Sequence, residues 1–304
     1  MPGGDANAST AAALTPQSVR VARGFDRKAA GYRQHAFIEP LLRERLLERL
    51  DLIRLEPRRI LDLGCADGDA SFALARRYRR ADVLAADLSA GMLGGLVARR
   101  GWRLRRRVRP LLCDAAALPL ADSTIDLVFS SLLLHWHADP GAVFAECRRV
   151  LRPGGLLLFN TFGPDTLCEL RGAWRAVDAS AHVNLFLDMH DLGDALQRAG
   201  LAAPVMDTER LAISHQTPEA LFRDLRATTP GNVLAGRPRG LLGRVGHARL
   251  LQALELTRRH GRLPTTLEVV YGHAWGQAVS GPRDSASHEV RIPLSRVRRR
   301  PSGP

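Results

Sequence analysis

Residues 60–70 read ILDLGCADGDA: an apolar run broken by one aspartate, then a turn punctuated by Gly64 and Gly68. A short buried strand feeding a glycine turn predicts a helix next, and "DASFALARRYR" (69–79) supplies it. That strand–turn–helix unit sets a rhythm which the chain then repeats. "DVLAADLS" (82–89) is a second strand, followed by a helix near "GMLGGLVARRG" (91–101). "RVRPLLCDA" (107–115) and "DLVFSSLLLHW" (126–136) are the third and fourth strands. "GAVFAECRRVLRPGG" (141–155) reads as a helix closed by Pro-Gly-Gly, and "LLLFNTF" (156–162) as the fifth strand. Nearly continuous apolar strands alternating with helices mean a parallel sheet covered on both faces, a doubly wound α/β fold.

Around this core the pattern changes. Upstream, residues 24–53 have helical spacing, with Leu42, Leu46, Leu50 and Ile53 on one stripe and Pro40 as the expected break between two helices. Downstream, "GPDTLCELRGAWRAVD" (163–178) predicts an extra helix and "MHDLGDALQRAG" (189–200) another that ends on Gly200. "PVMDTERLAISH" and "TTLEVVYGHAWG" suit a sixth and a seventh strand, separated by helical sequence (218–260) with a flexible interruption, "TTPGNVLAGRPRGLLG". The expected organisation is a tail over 1–17, one domain over 18–279 and a basic tail over 280–304. Within the domain lie N-terminal cap helices (18–56), a core (57–162) and insertions at 163–190 and 218–262. Both tails read as disordered, with "VRIPL" as a short piece that could order.

The chain has 304 residues, 45% hydrophobic and 25% charged, ordinary for a globular protein. No run of about 18 apolar residues is present, so no membrane span is expected, and the N-terminus lacks a signal-peptide pattern. Four cysteines without a C-x-x-C pair argue against a metal site or a disulfide framework and fit a reducing, cytoplasmic setting. The net charge of +13 raises a nucleic-acid reading. Yet 43 of the 44 cationic residues are arginines, spread along the chain, with clusters at "RRGWRLRRRVR" (99–109) and "RVRRR" (296–300). Such a distribution suits a solvated surface or an acidic protein partner better than a nucleic-acid groove.

The glycine turn discriminates among ligands. A dinucleotide site requires G-x-G-x-x-G with glycines close to a pyrophosphate. Here Ala66 stands between Gly64 and Gly68, and Asp62, Asp67 and Asp69 would repel phosphate. No G-K-[ST] is present for a P-loop. S-adenosylmethionine carries a sulfonium and an ammonium group, for which carboxylates and strand-end carbonyls are favourable. The turn D-x-G-x-A-x-G resembles the first motif of the class I, Rossmann-like S-adenosylmethionine-dependent methyltransferases, with Ala66 where glycine is common. Asp87, 19 residues beyond Gly68 and followed by Leu88, ends the second strand, where a carboxylate can take both ribose hydroxyls. Asp114 and Ala115 end the third strand, where that family contacts adenine. The fourth strand, which contains Ser130, and "ECRRVLRPGGLLLF" complete the motif order from 58 to about 162. The resemblance implies a seven-stranded, mostly parallel sheet with helical insertions forming a cap. It also implies S-adenosyl-L-methionine as cofactor, bound by Asp62, Gly64, Ala66, Gly68, Asp87, Leu88, Asp114, Ala115 and Ser130.

"VARGFDRKAAGYRQHA" (21–36) resembles the helix that many members fold over the cofactor, which puts Tyr32 at its methionine end. The place after the fourth strand holds "SSLLLHWHADP", without the N/D-P-P-[YFW] motif of nucleic-acid amine methyltransferases. "NTFGPDTLCELRGAW", "HVNLFLDMHDLGDALQRAG", "PVMDTE", "LRATTPGNVLAGRPRGLLGR" and "PTTLEVVYGHAWG" resemble the malonyl-acyl-carrier-protein O-methyltransferases of biotin synthesis, the BioC type. This resemblance implies esterification of the free carboxylate of a malonyl thioester, so that it can prime pimeloyl synthesis, with an acidic acyl-carrier protein as partner. The carboxylate is itself the nucleophile and needs no general base. Tyr32, His135, Trp136 and Arg171 are the expected positioning residues, with His182 a further candidate to hold the malonyl group, and Arg237, Arg239 and Arg244 the docking patch. Two alternatives stay open: the arginine-hydroxylase-like role of complex I assembly factors that share the fold, and small-molecule O- or C-methyl transfer.

Overall fold

The computed structural model describes residues 15–102, 104 and 107–277. Its strands are β1 (Arg59–Leu63), β2 (Asp82–Asp87), β3 (Val108–Leu112), β4 (Ile125–Ser131), β5 (Leu151–Phe162), β6 (Ala202–His215) and β7 (Leu263–Trp275). They form one sheet of order β3-β2-β1-β4-β5-β7-β6. The first five are parallel, and β7 runs antiparallel between β5 and β6. The strand order reverses between β1 and β4, so a crevice opens beyond their carboxyl ends, the usual ligand position in open α/β sheets.

Side chains alternate between two cores, as the period-two geometry of a strand requires. Ile60, Leu127, Phe129, Leu156 and Leu158 face helices α3 (Ile38–Glu48), α4 (Asp69–Arg77) and α5 (Ala90–Arg99), through residues such as Leu42, Leu46, Leu74 and Leu96. Leu61, Leu63, Val128, Leu157 and Phe159 face α6 (Pro140–Val150) and α8 (Met189–Arg198), through Val143, Phe144, Cys147, Leu192 and Leu196. Each fully buried leucine or phenylalanine contributes about 1.5–3 kcal/mol relative to an exposed one. A third, smaller cluster joins α7 (Cys168–Arg175), α9 (Pro218–Thr228) and α10 (Arg244–Glu255) through Leu170, Ala173, Leu221, Leu250 and Leu254, and builds the cap. Helices α1 (Ser18–Lys28) and α2 (Tyr32–His35) lie over the crevice.

Several local expectations are corrected. Pro40 does not divide a helix; it sits in the first turn of α3, where its missing N–H has no intrahelical acceptor to lose. The break falls instead at residues 36–37. Helix α6 stops at Val150, and residues 151–155 already belong to β5. There Gly154, at φ +76°, donates its N–H to Gly276 O at 2.8 Å. The predicted extra helix over 163–178 is helical only from Cys168, because the Leu167 N–H is drawn to Thr266 O of β7 at 2.8 Å. Residues 15–17, expected in the tail, are pinned: Gln17 N–H donates to Val233 O and Ala235 N–H to Thr15 O. "VRIPL" and "RVRRR" lie outside the described residues.

The four arginines of the cluster at 99–109 that lie among the described residues, Arg99, Arg100, Arg107 and Arg109, are engaged within the fold. Arg107 donates to the carbonyls of Ala75, Tyr78 and Ala81, Arg100 to that of Val108, and Arg109 pairs with Asp82 at 3.3 Å. Among the described residues, no helix is long and apolar enough to cross a membrane.

Candidate active site

The crevice is a cleft of roughly 1420 Å3, counted out to its mouth. Its floor is the glycine turn. Gly64 and Gly68 hold φ of +76° and +85°, and a Cβ on Gly68 would fall 2.5 Å from Leu96 Cδ1. Gly68 is therefore required by the packing of the turn on α5. Ala66 adopts φ +46° and directs its N–H to Asp87 Oδ2 at 2.8 Å. Ser89 N–H donates to Asp87 Oδ1, also at 2.8 Å. The Asp87 carboxylate thus shapes the turn while keeping lone pairs for a ligand.

The acids of this floor fall into two groups. Asp67 and Asp69 are both held by the Arg99 guanidinium, and Arg43 adds a second cation 3.4 Å from Asp69. Asp62, only 1% exposed, accepts from Ser71 Oγ, and burial pushes its carboxyl up to about 7. Glu39 of α3 also reaches the cleft, its Oε2 buried and without a hydrogen-bond partner; burial raises its carboxyl as well. Asp62, Asp87 and Glu39 thus make no ion pair with an arginine among the described residues. Asp114 accepts from Ala116 N–H at 2.9 Å and stands 3.2 Å from His137 Nε2, with Ala115 and Leu88 lining the cleft beside it. The Cys113 thiol, pushed up to about 11 by burial, is no thiolate nucleophile.

The opposite wall is aromatic. His135 and Trp136 lie on the turn after β4, their rings 4.9 Å apart, and His135 packs 4.9 Å from Phe162 and 5.8 Å from Phe186. Burial drives the His135 imidazole down to about 3, so it is neutral. Its Nδ1 lies 3.2 Å from Thr161 Oγ1. Above them, Phe25 of α1 meets Trp136 edge-on at 5.7 Å and Tyr32 at 6.4 Å. The Tyr32 phenol is held well above its ordinary range, first by burial and then by Glu39, Asp67 and Asp87, so it stays protonated.

The roof is tied down on both sides. Asp26 of α1 accepts from Ser89 Oγ at 2.6 Å and from Gly91 N–H at 2.8 Å. Gly24 lies against Pro230, where a Cβ would come within 2.3 Å of the proline Cβ.

Comparison with known proteins adds to this geometry. A methyltransferase-domain family model matches residues 61–159. A malonyl-[acyl-carrier protein] O-methyltransferase of Laribacter hongkongensis is 48% identical over 265 residues, which cover 85% of this chain and 89% of that protein. One of the same name from Halorhodospira halophila is 44% identical over 282 residues, 92% of this chain and 95% of its own. The chain belongs to the malonyl-[acyl-carrier protein] O-methyltransferase family. The YcgJ protein of Bacillus subtilis shares the fold at 16% identity, with a TM-score of 0.56 over 77% of this chain and 99% of that one.

Within this methyltransferase, most residues singled out from sequence meet at the cleft: Asp62, Gly64, Ala66, Asp87, Leu88, Asp114, Ala115, Tyr32, His135 and Trp136 all line it. Gly68 closes the turn from behind. Ser130, Arg171 and His182 do not reach the cleft. Ser130 is 2% exposed, and its hydroxyl donates to Leu63 O at 2.9 Å; its neighbour Ser131 lines the cleft instead. Arg171, expected at the malonyl carboxylate, is not among the cleft-lining residues and donates to Pro164 O at 3.0 Å and Thr166 O at 2.6 Å, which holds the 163–167 turn. His182 likewise is stacked on Trp174 at 3.6 Å and bound to Asp178 at 2.8 Å. Sequence reasoning missed Glu39, Arg33, Arg43, Phe25 and Phe162 in the cleft. Glu39 and Arg43 sit in a helix read only for its apolar stripe, and Arg33 lies beside Tyr32 in the short helix before it.

Proposed function

We propose that this chain transfers a methyl group from S-adenosyl-L-methionine to the free carboxylate of a malonyl group carried by an acyl-carrier protein, giving the malonyl methyl ester. One observation supports this reading above the others: a single cleft joins a carboxylate-rich floor to an aromatic wall of Phe25, Trp136 and Phe162. The floor fits the cofactor. Asp87 offers carboxylate lone pairs at the place of the ribose. Asp62 and the orphaned Glu39 oxygen, whose carboxyls burial raises, offer acceptors on which an ammonium or sulfonium group would favour the charged form. Asp114, Ala115 and Leu88 form the side of the cleft suited to adenine.

When bound, S-adenosylmethionine supplies an activated sulfonium methyl. The protein's own contribution is then to orient and to exclude water, since a malonyl carboxylate is already ionised and nucleophilic at neutral pH. Trp136, Phe162 and Phe25 dry the wall. Neutral His135 offers polarity without a charge that would quench the nucleophile by tight pairing. Tyr32, protonated and beside the acids, lays an aromatic face over the donor end, where a cation–aromatic contact contributes about 0.5–2 kcal/mol. The test is incubation with labelled S-adenosylmethionine and malonyl-carrier protein, followed by assay for a base-labile methyl ester. Tight binding of the cofactor without ester would overturn the reading, and addition of oxygen to a protein arginine instead would favour the hydroxylase-like alternative.

A further inference from the structure

A substrate delivered on a protein carrier must be recognised twice: its reactive end in the cleft, and the carrier itself on the surface outside. The region between Asp224 and Glu255 is a strongly basic surface segment of the cap. It contains five arginines, at 226, 237, 239, 244 and 249, and no aspartate or glutamate. Elsewhere among the described residues many arginines are spent on the fold: Arg99 and Arg149 bind four carboxylates between them, and Arg107 binds three backbone carbonyls. Arg239, Arg244 and Arg249, by contrast, are exposed and make no ion pair among the described residues.

Apolar side chains stand among them. Leu241 is fully exposed, Val245 is 68% exposed and Leu242 is 39% exposed. Three exposed aliphatic side chains within five residues, interleaved with unpaired arginines, are what a partner of opposite charge with an apolar seam would cover. The underside of the same segment is anchored. Gly246 packs on Leu242, and Leu250 and Leu254 enter the cap core. The patch is therefore a supported surface.

The segment that carries it starts at the cleft. Thr228 and Thr229 line the cleft itself. Residues 233–235, just before Arg237, are hydrogen-bonded to residues 15–17, which lead directly into α1. Ser18, Val21, Ala22 and Phe25 at the start of that helix line the cleft. The segment that leads into the patch is thus hydrogen-bonded to the segment that leads into the roof of the donor site.

Resting on the function proposed above, we propose that the surface formed by Arg239, Leu241, Arg244, Val245 and Arg249 is the docking site for the carrier protein, recognised as an acidic partner with exposed apolar side chains. Charge complementarity steers the encounter and the aliphatic residues seat it. The cleft then receives only the arm and its malonyl end.

The experiment compares the parent protein with R239E/R244E, with L241S/V245S and with R79E/R80E. The last reverses two exposed arginines at the far end of α4 and matches the change in charge. Each is assayed with malonyl-carrier protein and with malonyl-coenzyme A, and carrier binding is measured separately by fluorescence anisotropy. Expected are a roughly tenfold or larger loss of kcat/KM and of binding affinity toward the carrier for the first two variants. Rates with the small thioester should be unchanged, salt dependence weaker in R239E/R244E, and R79E/R80E close to the parent. An equal loss on both substrates, an equal effect of R79E/R80E, or no loss at all would overturn the docking site. So would a change of oligomeric state in L241S/V245S, which would mark the patch as a contact between copies of this chain. Should the parent bind the carrier through this patch yet form no ester, the docking site stands and the proposed reaction falls.

Discussion

Replacing Asp87 by asparagine separates the two duties that the structure gives this residue. Its two carboxylate oxygens each accept a backbone N–H at 2.8 Å, from Ala66 and from Ser89. An amide keeps one acceptor oxygen but turns an NH2 group toward the other N–H, so one charge-assisted bond is lost and two donors oppose each other. Hydrogen bonds to charged groups contribute about 1.5–3 kcal/mol. The ligand-free protein should therefore lose about that much stability, read as a lower urea midpoint with an unchanged slope. If the remaining lone pairs also hold the ribose, binding suffers a second loss of similar size, about 10- to 150-fold in the dissociation constant of S-adenosylhomocysteine by calorimetry. The two effects are measured independently on one variant. A destabilised D87N that binds S-adenosylhomocysteine as tightly as the parent would refute the assignment of Asp87 to the ligand and leave it only as the organiser of the turn.

Asp62 provides a pH signature. Its carboxyl, pushed up to about 7 by burial, keeps a proton in the native state that the unfolded chain releases near its ordinary value of 3.8. Its contribution is thus fully present below that value and is lost as pH rises toward 7, with a slope of at most about 1.4 kcal/mol per pH unit. Urea unfolding from pH 4.5 to 8 should show this slope in the parent and lose it in D62N, while affinity for the cationic cofactor rises through the same window only in the parent. His135 should give no pH signature in turnover: with its imidazole driven down to about 3, kcat at saturating substrates stays flat from pH 6 to 9, and a titration near 6.5 that vanishes in H135Q would contradict its neutral role. Arg171→Ala should lower stability by about 1–3 kcal/mol through the unpaired carbonyls of Pro164 and Thr166, with the KM for malonyl-carrier protein changing less than about threefold; a tenfold rise in KM without loss of stability would restore Arg171 to the acceptor site.

The donor half of the site was legible in sequence because a parallel sheet forces it to be. Strand ends at 62–64, 87 and 114 are brought side by side by register, so a motif read along the chain maps onto one rim. Even there, charge was misjudged. The turn appeared as three free carboxylates, whereas Arg99, thirty residues away in sequence, takes Asp67 and Asp69 out of play. The acceptor half was less legible for a related reason. "CELR" promised a cation aimed at a carboxylate, but in a loop that must turn sharply at Leu167 (φ +56°) the backbone carbonyls claim the guanidinium first. Glu39 and Arg43 were hidden on the polar side of a helix whose apolar stripe explained its packing, and nothing in their spacing marks them as cleft residues. Tyr32, His135 and Trp136 were found because each lies next to a boundary of the fold, where side chains are directed toward the crevice.

The division between the two halves bears on how substrate choice is encoded. A carboxylate nucleophile asks for no base, so the wall opposite the donor can be aromatic and neutral, and the His135–Phe162–Phe186 cluster meets that description. A wall of this kind shapes the acceptor arm but carries little information about what the arm is attached to. That information has to come from elements outside the parallel core, and α7, α9 and α10 share a small core of their own, distinct from the two cores that stabilise the sheet. The cap can therefore change its outer surface at little cost to the donor site. Its hydrogen bonds to residues 15–17 still couple whatever docks there to the roof of the cleft. On this argument, surface substitutions in residues 237–249 alter which carrier is served, while substitutions at Asp87 or Gly68 disable the enzyme for every acceptor alike.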